Sequence, residues 1–386
     1  MSESAVLREI ALPNGVIPLP SYLPDATYGV VRGADASDLE TVGIDALVMN
    51  VFHLMQKPGS GVIQALGGLH NMAGWHRPIL TDSGGFQAYS LIRQNSDRGS
   101  LSDQGIRFKP EGSTRPFLLS PVKSIQLQMA YGADILICLD DCTHADDSAE
   151  VQKEAVIRTL RWAKKCKEEF NLQLRQRKLS MEIPRPLLFG VIQGGGNLSL
   201  RRECAERLQE IGFDGYGYGG WPLDAQGNLL ADLLEATRSF VPANIPMHAL
   251  GVGSPSSVLT CSRMGYSIFD CSLPTRDARS GRLYYWRSSP GSSGFALLPE
   301  QFDILYIDDE KLIRTNTPIS PHCDCLACNR YSIAYLRHLR RCQDTLYVRL
   351  ATLHNLRFMV QLMERIRMES HPPRIEGFIL PFSGRE

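Results

Sequence analysis

The chain predicts an α/β fold: a (β/α)8 barrel of the TIM type with a zinc-binding subdomain inserted near the C-terminus. Three observations carry this expectation. Short apolar runs alternate with helical periodicity, the pattern of parallel strands joined by crossover helices. The runs count to eight, which favours a closed ring over an open sheet. Beyond them Cys323, Cys325 and Cys328 lie in P-H-C-D-C-L-A-C, a cysteine spacing that holds zinc.

Taken in order, the first strand is expected near Val16–Leu19. Ala36–Val42 reads as a helix before the strand Ala46–Met49, and Ile79–Leu80 is the third strand. Gly105–Phe108 and Pro116–Leu119 flank P-E-G-S and read as a β-hairpin inserted after it, over about 105–119. Ile135–Leu139 is a buried strand followed by a long amphipathic helix, Ser148–Glu169. Strand Leu187–Ile192 precedes helix Ser199–Ile211, and strand Gly215–Tyr218 precedes helix Leu229–Phe240. His248–Leu250 leads into the helix Pro255–Met264, with Ser254 as its cap. Ser267–Phe269 is the last strand, and a rigid turn at Pro274 follows it. The barrel thus spans 1–289. The zinc subdomain spans 290–344, and 345–370 is a final helix, centred on Leu346–Met368, that carries the last zinc ligand. Residues 371–386 lack periodicity and are expected to be a disordered tail.

A hydrophobic fraction of 43% with 21% charged residues is that of a water-soluble globular chain. Net charge is zero, so any nucleic-acid binding rests on local patches. No apolar run reaches the roughly 20 residues of a membrane span, and MSESAVLREIALPNG carries no basic-then-apolar signal. A cytoplasmic protein is expected. Most of the cysteines lie singly in apolar stretches and read as buried thiols.

In such a barrel the chemistry collects where strands end. Here those ends are polar or glycine-rich: Asn50 and His53; Asp82, Ser83, Phe86 and Gln87 in T-D-S-G-G-F-Q; Asp140, Asp141 and Cys142; Gln193 before three glycines; Gly219, Gly220 and Trp221; and Asp270. A lone Asp after a strand is more often a cap than a catalyst. Convergence is what argues for function. Asp140 suits a pair of N–H donors, Gln193 and a glycine N–H suit a carbonyl, and Phe86 suits the face of a ring, which together describe a planar heterocycle.

Three thiolates need one more ligand. His354, in the final helix, is the expected fourth, with His322 and His338 as competitors; the site is of the closed, structural kind. Two arginine clusters flank the predicted pocket mouth. One is Arg276, Arg279, Arg282 and Arg287; the other is Arg330, Arg337, Arg340, Arg341, Arg349 and Arg357. Both are read as surfaces for phosphate.

The motifs T-D-S-G-G-F-Q, L-D-D-C, F-G-V-I-Q-G-G, Y-G-G, L-G-V-G-S-P, F-D-C-S-L-P-T-R and C-D-C-L-A-C with a later H-N-L together resemble the tRNA-guanine transglycosylases (queuine tRNA-ribosyltransferases) of bacterial type. The resemblance implies exchange of guanine at the anticodon wobble position of tRNA for a 7-deazaguanine base, in a homodimer. By motif, Asp270 is the implied nucleophile toward the ribose C1′ and Asp82 the general acid/base. Asp140, Gln193, Gly219 and Gly220 are the implied base readers, with Phe86 stacking and Ser83 beside the site. Arg276 and Arg279 would hold backbone phosphates of the anticodon stem-loop, and Cys323, Cys325, Cys328 and His354 a structural Zn2+.

The chain departs from the family pattern after Gly220, where W-P-L-D-A stands in place of small residues and a glutamate. Trp221 and Leu223 reshape the wall for the 7-substituent, and Asp224 is a possible replacement for the glutamate. Leu250 stands where bacterial members often carry Met. Three other readings compete: a non-catalytic RNA-docking subunit, a related enzyme acting on DNA, and a zinc-bearing barrel hydrolase. Retention of both Asp82 and Asp270 weighs against the first, and a closed metal site weighs against the last.

Overall fold

The computed structural model describes residues 7–94, 99–110, 115–144, 146–179, 182, 184–287 and 297–370. The expected tail lies outside them, as does most of the P-E-G-S turn.

The chain opens with an antiparallel pair, β1 (Glu9–Leu12) and β2 (Gly15–Pro18). This corrects the expected first barrel strand. Ile17 and Leu19 are apolar because they join Ile10 and Leu12 in closing the barrel's lower end. The true first strand is β3 (Ser21–Pro24), which its terminal proline disguises. Strands β4 (Leu47–Asn50) and β5 (Ile79–Asp82) follow. The insert then contributes β6 (Gly99–Ser102), β7 (Gly105–Phe108) and β8 (Phe117–Leu119). Gly105–Phe108 and Phe117–Leu119 pair antiparallel, and β6 adds a third strand absent from the sequence reading.

The ring resumes with β9 (Ile135–Ile137), β10 (Leu187–Ile192), β11 (Gly215–Tyr218), β12 (Met247–Ala249) and β13 (Ile268–Cys271). The sheet order is β3-β13-β12-β11-β10-β9-β5-β4, all parallel. Between β3 and β4 the ring closes through the Asp25–Val48 bridge, where Ala26 N donates to the Val48 carbonyl at 2.7 Å. Leu23, Val48, Leu80, Ile137, Val191 and Ile268 fill the interior from six of the eight strands, a packed layer beneath the strand ends. Because strand side chains alternate with period two, the next positions on five of these six strands are Asp25, Asn50, Asp82, Gln193 and Asp270. The core layer therefore dictates which polar residues meet above it.

The Pro274 segment is a helix, Leu273–Arg279, rather than a turn; Pro274 in its first turn costs no helical hydrogen bond. Beyond it β14 (Arg282–Trp286) and β15 (Phe302–Tyr306) form an antiparallel ribbon. The ribbon and the cysteine segment pack on the final helix, Thr345–Ser370, through Leu283, Ile307, Ile319, Leu336, Tyr347 and Leu350. No helix among the described residues is long and apolar enough to cross a membrane.

Candidate active site and metal centre

A cavity of about 360 Å³ opens at the C-terminal ends of the barrel strands. Asp82, Ser83, Phe86, Asp140, Gly219, Gly220, Trp221, Leu250 and Asp270 line it, so most of the residues singled out in the sequence converge on one pocket. Gln193 stands behind the wall. It is fully buried, and its Nε2 donates to Asp140 Oδ2 at 2.6 Å while Oε1 has no partner.

Asp270 is fixed by residues that local sequence did not single out. Its Oδ1 meets His248 Nε2 at 2.7 Å and accepts from the Gly251 N–H at 3.0 Å. Oδ2 has no protein hydrogen bond among the described residues, and Asp270 lines the cavity. His248 is completely buried on the adjacent strand. It reads as an apolar strand residue until the parallel register of β12 and β13 puts it beside the acid. Tyr22 OH donates to the Cys271 carbonyl at 2.5 Å, bracing the same strand end.

Asp82 lies across the cavity on β5, where Asn50 Nδ2 approaches Oδ2 at 3.5 Å. Burial first, then the charges of Asp270 and Asp25, push the Asp82 carboxyl well above the usual range, with Asn50 opposing. Burial likewise raises Asp140 to about 7, against the stabilising Gln193 bond. The pocket thus sets Asp270, anchored through one oxygen, against Asp82, whose carboxyl burial and neighbouring charges push toward the protonated form. Two acids driven into different roles by their surroundings can serve as nucleophile and proton donor.

The wall that carries Gly219 and Gly220 is organised by Arg201, which reads in sequence as an ordinary helix charge. It is 1% exposed and stacks 4.2 Å above the Tyr218 ring. Its guanidinium donates to the carbonyls of Gly195 (2.7 Å), Ile192 (3.3 Å) and Gly219 (3.0 Å), tying two glycine loops together. Gly219 is required by close approach: a Cβ there would lie 2.5 Å from Gln193 Nε2. Phe86 and Trp221 meet edge to face, centroids 5.2 Å apart, and form an aromatic lip. Asp224 does not line the cavity. Its exposed carboxylate closes its own loop, accepting from Gln226 N, Asn228 N and Asn228 Nδ2 at 2.8–3.0 Å.

The arginine clusters divide. Arg276 is exposed, and Arg279 is half-buried with Nη1 unpartnered. Burial and then the charge of Arg32 lower the Arg279 pKa, so Arg32, unnoticed in sequence, belongs to this cationic group. Six of the other eight assignments need correction. Arg282 pairs with Asp277 and Arg287 with Asp303. Arg340 pairs with Asp308 at 2.7 Å, Arg349 with Asp38 at 2.5 Å and Arg357 with Asp324 at 2.6 Å, while Arg337 donates to the Ile307 carbonyl. Three of the six in the second cluster reach the barrel: Arg349 through Asp38, Arg340 through the carbonyls of Arg279 and Ser280, and Arg357 through that of Val42; Arg330 and Arg341 are exposed.

Cys323, Cys325, Cys328 and His354 bring their ligand atoms within 4.8 Å of one another. The three Sγ atoms lie 3.7, 3.4 and 3.4 Å from His354 Nδ1. Zinc–ligand lengths of about 2.3 and 2.05 Å at the tetrahedral angle give an S–N separation of roughly 3.6 Å, so the set fits the ion. His354 Nε2 donates to the Tyr284 carbonyl at 2.6 Å, which leaves the Nδ1 lone pair facing the thiols. Of the competitors, His322 and His338 lie outside this group.

The family model described as queuine tRNA-ribosyltransferase matches residues 3–379. Similar proteins of that name include one from Mannheimia succiniciproducens, 36% identical over 95% of this chain and 89% of the relative. One from Lysinibacillus sphaericus is 36% identical over 97% and 91%, and one from Shewanella sp. strain ANA-3 is 36% identical over 97% and 93%.

Proposed function

The chain belongs to the queuine tRNA-ribosyltransferase family, and from that premise we propose that it exchanges guanine at the wobble position of a tRNA anticodon for a 7-deazaguanine base by double displacement. The observation that carries the reading is the pair of carboxyls across one cavity. Asp270 has one oxygen pinned by His248 and Gly251, and burial pushes Asp82 toward its protonated form.

Asp270 attacks the ribose C1′ while Asp82 protonates the departing guanine, whose bonding electrons would otherwise build charge on the base. The C1′–N bond breaks as the C1′–O bond forms, leaving RNA esterified to Asp270. The incoming base then gives its N–H proton to the Asp82 carboxylate and displaces Asp270, restoring the anomeric configuration. Asp140, braced by Gln193, accepts from the base edge, the Gly219–Gly220 backbone reads its carbonyl, and Phe86 covers the ring. Single-stranded loop nucleotides suit this pocket because the base must be unstacked to enter. Arg276 and Arg279, with Arg32, take the backbone phosphates. Zn2+ on Cys323, Cys325, Cys328 and His354 is structural: four protein ligands leave no position for substrate.

A trapping gel tests the reading. The protein is incubated with an anticodon stem-loop RNA and a 7-deazaguanine inhibitor, then denatured. A slower protein–RNA band is expected, absent in Asp270→Ala and present in a surface Asp control. A band formed with a DNA hairpin but not with RNA would assign the chain to DNA. No band with either favours an RNA-docking subunit.

A further inference from the structure

We propose that Asp25 accepts a hydrogen bond from the 2′-hydroxyl of the nucleotide undergoing exchange, making it the residue that selects RNA over DNA; the inference rests on Asp270 as the group that attacks that sugar. Asp270 lies in register with Leu23, whose side chain joins the barrel's interior layer. Two residues on, Asp25 returns to the same face one pleat higher, and it lines the cavity beside Asp270.

The order of strands around the ring sets what Asp25 faces. Its strand stands between the strand of Asp270 and that of Asn50. Across the ring are β9, β10 and β11, whose ends lead to Asp140, Gln193 and Gly219. A base held on that arc directs its sugar toward Asp270 and Asp25. Arg279 senses the charges of Asp25, Arg32 and Arg276 together, so a phosphate held there leaves its own sugar close to Asp25.

One oxygen of Asp25 is spoken for: Oδ1 accepts from Thr27 N at 2.9 Å and from the Thr27 hydroxyl. Oδ2 makes no hydrogen bond among the described residues, although burial, opposed by Thr27 and reinforced by Asp270, raises this carboxyl's pKa. A donated O–H is what such a group lacks. In an internal nucleotide the 3′-oxygen is esterified, so the 2′-hydroxyl is the one sugar hydroxyl free to donate, and it is the group that distinguishes RNA from DNA.

The test uses the full chain and two stem-loops: the RNA, and the same RNA with a single 2′-deoxyguanosine at the exchanged position. The readout is kcat/KM for incorporation of labelled guanine. The unaltered chain is expected to prefer the all-ribose loop by roughly 10- to 100-fold, the range for a hydrogen bond to a charged group. Asp25→Ala is expected to lose about that factor on the all-ribose loop and little on the deoxy loop, so the preference collapses toward one. Asp25→Val carries the same expectation where Asp25→Ala fails to fold. Equal losses on both loops, or an undiminished preference, overturn the assignment. An unaltered chain that exchanges guanine into neither loop overturns instead the function proposed above.

Discussion

Replacing Asp140 by Asn isolates the cost of the buried acid assigned to the base edge in the proposed function. In the unfolded chain Asp140 ionises near 3.8, whereas burial moves it to about 7 in the folded protein. The folded state therefore holds an extra proton between those values. Its contribution to stability is present below pH 4 and is lost as pH rises through 7. Integrated from pH 5 to pH 8, the loss is roughly 2.5 kcal/mol. Asn keeps the shape and an acceptor for the Gln193 Nε2, and it does not titrate. Urea unfolding of both chains at pH 5 and pH 8 should show the variant gaining about that amount on the wild type at the higher pH. The other titrating groups are present in both chains, and on Asp82 the Asp140 charge acts only after burial, Asp270, Asp25 and Asn50. In the proposed function the same carboxylate must be ionised to accept the N–H donors of a guanine, so guanine affinity by calorimetry should weaken in the wild type as pH falls below 7 and be poor in the variant throughout. Parallel stability profiles for the two chains between pH 5 and pH 8 would refute the reasoning.

Gly219→Ala would put a Cβ 2.5 Å from Gln193 Nε2 and 2.8 Å from Val191 Cγ1; displacing Gln193 from Asp140 should raise the guanine KM at least about tenfold in an exchange assay while stem-loop binding by gel shift is unchanged. Arg201→Met leaves the carbonyls of Gly195, Ile192 and Gly219 without their donor; at about 1–3 kcal/mol for each unsatisfied group, a denaturant titration should show a loss of at least about 3 kcal/mol, only partly recovered by Arg201→Lys. His354→Ala, or a strong chelator, should empty the metal centre. Structural zinc is worth on the order of 10 kcal/mol, so the ribbon and final helix should lose protection in hydrogen exchange, while His322→Ala and His338→Ala retain full metal content by elemental analysis.

Much of the site could be read locally. Asp82 and Asp270 end apolar runs, and a strand's period of two keeps such residues on the face of the apolar residue two before them, Leu80 and Ile268. Cys323, Cys325 and Cys328 declare themselves by spacing, since a metal turn needs its thiols within a few residues of one another. The first barrel strand was misplaced because Ile17 and Leu19 are as apolar as a barrel strand; they fill the same interior layer from a hairpin beneath it. Nothing in the local pattern separates a run that caps the layer from one that belongs to it.

The remainder depends on partners far apart in the chain. Arginines at 340, 349 and 357 look like a phosphate surface until Asp308, Asp38 and Asp324 are found against them. Arg201 sits in a polar helix and yet is almost wholly buried, because two glycine loops from neighbouring strands present carbonyls to it. His248 becomes the anchor of Asp270, and Asp25 its neighbour, only once the parallel register of β12, β13 and β3 is set. Strand period and ligand spacing are short-range properties that residue order encodes directly. Which buried polar group meets which is set by closing the ring, since each group must find its hydrogen bond wherever the neighbouring strand happens to offer one.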